Sequence, residues 1–312
     1  MTIMKARLVS LLVLVSAGQL CPAALIVQEL FDNIGTSDTN LNGWSGGTTS
    51  VGLTGTWVTN GNLASVRYAS NFNVNGSTLP GLSSNNGSPG GVWQGGGSDW
   101  STNIYSTRAL ASTIDFSNNR VVYFSVRLNN GGDSAMGVGL ASGTDGAAQF
   151  VGAGFHWDTA TGLDTGPAGN ASYITYGTLG QNLAGNNDGV YAIRAHETAG
   201  SVNGFGLLVG RITINSVGSD QIDIRRYAEN ATIDNDLASI AWTSSGNVNS
   251  SMVATRLLIW MNGSGGGELD AIRFGDTWED VTGVTLVPEP SVAGLAALAC
   301  GMFLRRRRPS AR

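Results

Sequence analysis

The chain has 312 residues, with 17 Lys+Arg against 22 Asp+Glu, and its 45 glycines stand beside only 12% charged residues. So little charge, with acids in excess, excludes a coiled coil and a nucleic-acid binder. At 42% hydrophobic residues and eight Trp there is enough apolar material for a core, which excludes wholesale disorder.

Residues 1–23 read as a secretory signal peptide. Lys5 and Arg7 make the positive start, Leu8–Ala17 is an apolar run of ten, and Cys21 and Ala23 supply the small residues for cleavage after Ala23. Cys21 also admits a lipoprotein signal, although Gly18-Gln19-Leu20 lacks the usual leucine and small-residue run before it.

The body, residues 24–286, then holds 10 Arg, no Lys and 21 Asp+Glu, a net of −11, and no cysteine. It has no disulfide, thiol nucleophile or cysteine metal site. An acidic surface repels nucleic acid, anionic lipid and acidic polysaccharide, so the expected partner is neutral or bridged by divalent cations.

No stretch of the body keeps a helical apolar period, whereas alternation is common. Strands are predicted at Leu25–Phe31, Ala64–Tyr68, Leu110–Phe116, Arg120–Leu128, Ala135–Ala141, Gln149–Phe155 and Ser172–Tyr176. Val190–Ala195, Gly206–Ile214, Asp220–Arg225, Ala238–Trp242, Val253–Trp260 and Leu269–Phe274 complete the set. Gly/Asn/Ser-rich turns separate them, and residues 32–62 and 71–106 read as long low-complexity loops. About a dozen strands without a long helix predict an all-β, two-sheet antiparallel sandwich, in one domain.

The sharpest catalytic lead is Glu268-Leu269-Asp270-Ala271-Ile272-Arg273. Alternate strand residues share a face, so Glu268 and Asp270 could flank a glycosidic bond as paired carboxylates. The third place of such a pattern falls on Ile272 or Arg273, and neither donates a proton to a leaving alcohol. A plain final strand with an acidic edge is the alternative. His156 and His196 stand 40 residues apart with no nucleophile elbow or metal-ligand spacing, and read as ordinary strand-end histidines. Asp234-Asn235-Asp236 and Asp276 with Glu279-Asp280 supply oxygen ligands for calcium, or are merely solvated. Trp57, Trp242 and Trp260 read as core. Trp44, Trp93 and Trp100, in Gly/Ser/Asn-rich stretches, are candidates for stacking on a sugar or for closing the sandwich ends.

The chain ends on Val287-Pro288-Glu289-Pro290-Ser291, thirteen uncharged residues (VAGLAALACGMFL) and Arg305-Arg306-Arg307-Arg308. Counted with Ser291, that run makes about 21 Å of helix against a bilayer core of ~30 Å. It suits a temporary stop better than a permanent anchor, and the arginines hold the cytoplasmic side. These three ordered elements resemble the PEP-CTERM protein-sorting tail of Gram-negative bacteria. The N-terminal signal implies Sec export with cleavage by signal peptidase, and the tail resemblance implies recognition and processing near Pro288-Glu289-Pro290 by an exosortase-like enzyme. It further implies transient inner-membrane anchoring through residues 287–312 and delivery to the envelope surface or extracellular matrix.

The body also resembles a family at its edges. Gln28-Glu29-Leu30-Phe31-Asp32, Leu41-Asn42-Gly43-Trp44, Leu207-Leu208-Val209-Gly210-Arg211-Ile212 and the run Leu269–Val281 are similar to concanavalin A-like (laminin-G-like) jelly-roll domains. That superfamily includes lectins, adhesive modules and glycoside hydrolases, and the fold does not choose among them. The expectation is a non-enzymatic envelope or matrix protein whose jelly-roll body binds neutral polysaccharide or builds surface structure. A degenerate extracellular glycoside hydrolase is the alternative.

Overall fold

The structure is a computed structural model, and it describes residues 24–32, 39–60, 65–67, 91–93, 105–130, 134–158, 169–180, 193–196, 204–228, 231–248, 250–263 and 268–286. The segments read as a signal peptide (1–23) and as a sorting tail (Val287, Pro288, Glu289, Pro290 and the arginines at 305–308), and Trp100, lie outside them. Among the described residues no helix is long and apolar enough to cross a membrane.

Strands run in chain order as β1 (Leu25–Glu29), β2 (Thr39–Asn40), β3 (Leu53–Asn60), β4 (Ser65–Arg67), β5 (Gly91–Trp93) and β6 (Tyr105–Asp115). Next come β7 (Arg120–Asn130), β8 (Ser134–Ala141), β9 (Gln149–Asp158), β10 (Gly169–Thr178) and β11 (Ile193–His196). The last are β12 (Gly204–Ile214), β13 (Asp220–Ala228), β14 (Ser244–Val248), β15 (Val253–Gly263), β16 (Glu268–Gly275) and a short helix α1 (Trp278–Thr282). One sheet has the order β14-β13-β12-β7-β16-β5-β4-β2, with β1 also on β16, and the other the order β11-β10-β9-β8-β15-β6-β3. The fold is a nearly all-β sandwich of two antiparallel sheets, as the alternation predicts.

Between the sheets lies the main core, built from alternate residues of both. Val122, Phe124, Val126 and Leu128 of β7 face Leu257, Ile259 and Met261 of β15. The opposite face of the nine-stranded sheet is covered by a second apolar cluster. There Leu207, Val209 and Tyr227 pack under Trp278 and Val281 of α1, with Ile240 beside them. Thr277 caps α1 through a reciprocal capping box with Asp280, and Gly283 ends it in the left-handed region at φ 71°.

A third cluster lies on the far face of the seven-stranded sheet, around Trp260, Tyr173 and Phe150. Here a cross-strand row runs from Tyr105 through Trp260, Gly137 and Gly154 to Tyr173. The glycines matter because a Cβ at Gly137 would fall on the Trp260 indole, which lies across that strand. Trp260 Nε1 donates to the Tyr173 hydroxyl at 2.7 Å, and burial raises the Tyr173 pKa far above the usual tyrosine range.

Three readings need correction. Ala238–Trp242 is a turn and irregular segment, and the strand begins at Ser244. The 225–243 stretch is held there instead by side chains, with Arg225 Nη1 donating to Ala241 O at 2.7 Å. Residues 32–62 are not loop throughout, since they carry β2 and β3. Strand β3 is an edge strand with mostly exposed residues, so it shows no apolar alternation to read. Trp242 is half-buried rather than core, meeting Trp278 edge-on at 6.3 Å beneath the Arg211 guanidinium.

Candidate functional site

Strand β16 carries the carboxylate lead, and its sheet neighbours decide what those residues can do. Leu269, Ile272 and Phe274 point into the main core. Ala271 sits at φ 51°, and the pairing with β7 shifts between Asp270 and Arg273. This bulge adds a residue between Asp270 and Arg273, which keeps both on the sheet face away from the core. Ile272, one candidate for the third catalytic place, is fully buried in the core. Arg273, the other, shares the face of Asp270.

Asp270 pairs in register with Arg127 of β7, and both are buried. Its Oδ1 accepts from the Ala271 backbone N–H. Burial pushes its carboxyl up to about 7, against the opposing pull of Arg127, the Ala271 N–H and Arg273, while Glu29 adds to the rise. Arg273 Nε donates to Gln28 Oε1 of β1 at 3.1 Å, and burial brings its guanidinium down to about 10 against the Asp270 charge. Asp270 Oδ2 and Arg273 Nη1 and Nη2 are buried without a hydrogen-bond partner among the described residues.

One residue pair further along, two leads converge. Glu268 pairs with Trp93 of β5 on one side and Asn129 of β7 on the other, and Trp93 also pairs with Ser65 of β4. Directly opposed residues of antiparallel strands share a face. The register therefore sets Ser65, Trp93, Glu268 and Asn129 in one row, next to Asp270 and Arg127. For these four the backbone is described and the side chains are not.

Trp44 belongs elsewhere. Its ring stacks on Phe31 at 5.9 Å, and Phe31 stacks on Trp57 at 5.9 Å, so Trp44 closes the edge of the main core. The histidines stand on strands either side of β10 and are not cross-strand partners: His156 in β9 pairs with Ala135 and Ala171, and His196 in β11 with Tyr173.

The acids weighed for calcium are spread over other contacts. Asp276 takes Arg120 at 2.7 Å, and Asp280 caps α1. Glu279 accepts from Thr285, and Asp234 accepts from the Tyr227 hydroxyl at 2.8 Å. No group of three His, Cys, Asp or Glu suited to a metal occurs among the described residues.

Sequence reasoning missed the Glu29–Arg108 ion pair, 2.6 Å long and buried on both sides. Glu29 Oε1 also accepts from Phe31 N and Gly47 N, and Oε2 from Ser50 Oγ. A single Glu and Arg 79 positions apart offer no local signal for this contact.

No protein-family model matches the chain, and no curated protein matches it. Solved structures are similar in part. The VIP36 exoplasmic/lumenal domain bound to Ca2+ and Man3GlcNAc has a TM-score of 0.39 at 11% identity, covering 75% of this chain and 92% of that one. Lectin UEA-II complexed with galactose gives 0.35 at 11%, covering 77% and 99%. An engineered GH43 glycoside hydrolase with endo-xylanase and exo-arabinofuranosidase activity gives 0.36 at 12% identity, covering 60% of this chain and only 35% of its own length.

Proposed function

We propose that this is an exported cell-surface or matrix protein whose sandwich body binds neutral polysaccharide without cleaving it. A signal peptide at 1–23 and the PEP-CTERM-like tail at 287–312 support export and sorting by signal peptidase and an exosortase-like enzyme. The observation that carries the binding reading is the pairing of Trp93 with Glu268 in one row with Ser65 and Asn129. An aromatic face for pyranose C–H groups beside carboxylate, amide and hydroxyl groups is the chemistry a neutral sugar needs. The company of Asp270 supports binding over catalysis. Arg127 lies opposite it, and Arg273 stands where a proton donor would be required.

The test is a glycan-array screen of the purified protein, with calcium and with a chelator. Saturable capture of a defined neutral glycan is expected, falling at least tenfold in Trp93→Ala. A blank array under both conditions overturns the binding reading and leaves a structural coat protein. Loss of capture in chelator assigns a bridging calcium.

The raised Asp270 favours one second reading, a glycoside hydrolase using Glu268 and Asp270. Release of reducing ends from a glucan, abolished in Glu268→Gln, would establish it in place of the first.

A further inference from the structure

Arg273 is a buried cation whose guanidinium end has no hydrogen-bond partner among the described residues. Its side chain is 1% exposed, and its one described hydrogen bond goes to the neutral amide of Gln28. Nη1 and Nη2, the two donors at the end of the guanidinium, have no hydrogen-bond partner among the described residues, and neither does Oδ2 of Asp270 three residues earlier. Burying such groups unpaired is costly, more so for a charge. The bulge at Ala271, held at φ 51° with its N–H on Asp270 Oδ1, keeps both side chains on one sheet face.

We propose that Arg273 and Asp270 form a binding site for a small carboxylate, which receives the two Nη donors of Arg273 on its two oxygens. The planar fork of arginine matches a carboxylate in a bidentate manner, and when Asp270 is protonated a negative ligand replaces the counter-charge that Asp270 otherwise gives Arg273. A metal cation is the wrong occupant, because Arg127 from β7 and Arg273 both bear on Asp270. Among the described side chains the charged groups that act on Asp270 are Arg127, Arg273 and Glu29 of β1, and Glu268 precedes it by two positions on the same strand face. Because burial brings Asp270 to about 7, it can take up a proton with the ligand, and its Oδ2–H then donates to a ligand oxygen. A free organic acid and the carboxylate of a sugar acid share this chemistry. The site is independent of the neutral-glycan reading, and a blank array leaves it standing.

The experiment is thermal unfolding of the purified full chain titrated with sodium formate, sodium glucuronate or sodium chloride at matched ionic strength, at about pH 6 and about pH 8. Formate is expected to raise the midpoint saturably, and more at the lower pH. Arg273→Gln is expected to abolish the saturable rise. Asp270→Asn is expected to keep it and lose its pH dependence, because the amide N–H replaces the acid proton. A response to glucuronate as well assigns a sugar acid, and a response to formate alone assigns a small free acid. Equal shifts with chloride, or a saturable formate shift that persists in Arg273→Gln, overturn the site. Should Arg273→Gln fail to fold, Arg273→Lys keeps the charge without the fork, and an undiminished formate response in that variant overturns the site equally.

Discussion

Glu29 of β1 and Arg108 of β6 join the two sheets of the sandwich through a buried ion pair, Oε2 to Nη1 at 2.6 Å. Burial lowers the Arg108 pKa, and the Glu29 charge and hydrogen bond oppose that shift. Arg108 Nε also donates to Gly55 O at 3.1 Å, so the guanidinium pins the β3 edge as well. Removing one partner leaves the other charge buried and is expected to cost about 3–5 kcal/mol. Arg108→Ala should lower the urea midpoint accordingly. The double variant Glu29→Leu with Arg108→Met should lose much less, because no isolated charge remains. A double variant as unstable as Arg108→Ala would contradict this account.

The loop over that pair depends on one glycine. Gly46 lies at φ 91°, and a Cβ there would fall on Arg108 Nη1 and press on Glu29 Oε2. Gly43 lies at φ 85° with open space around its missing Cβ. Gly43→Ala should therefore cost only the backbone strain, about 1 kcal/mol. Gly46→Ala should cost several times more, and equal losses in denaturant melts would rule out the steric part.

Asp270 makes stability depend on pH in a defined direction. Its carboxyl titrates at about 7 in the fold against 3.8 in the unfolded chain. Between those values the folded state holds the extra proton, so the contribution of Asp270 to stability is greatest below about pH 4, falls as pH rises through about 7, and then levels off. A shift of this size corresponds to about 4 kcal/mol over the window. Asp270→Asn should flatten that slope and be the more stable protein at pH 8, read from urea melts across the range.

Trp44 and Trp93 should separate stability from binding. Trp44→Ala removes a ring stacked on Phe31 and is expected to cost about 2–4 kcal/mol, without changing glycan capture. Trp93→Ala is expected to reduce capture. Reversed outcomes would move the binding surface to the Trp44 edge.

Much of the sandwich was legible from pattern alone. In Arg120–Leu128 the residues Val122, Phe124, Val126 and Leu128 face the main core while Ser125 and Arg127 alternate with them, so a period of two is written into the residues. Strand β3 escaped because an edge strand with exposed neighbours has no such constraint, and β5 because three residues carry no period. Ala238–Trp242 misled because its apolar residues pack as a cap on the nine-stranded sheet rather than as a strand.

By itself the sequence determined the acidic, cysteine-free composition of residues 24–286 and the all-β class, because composition and alternation are local properties. Only the tertiary structure decided which residues meet. Register set Trp93 beside Glu268, and one bulge at Ala271 put Arg273 on the face of Asp270. Closure of the two sheets brought Glu29 to Arg108 across 79 positions. Such contacts depend on strand pairing between distant segments, and a shift of one residue would send every side chain to the opposite face.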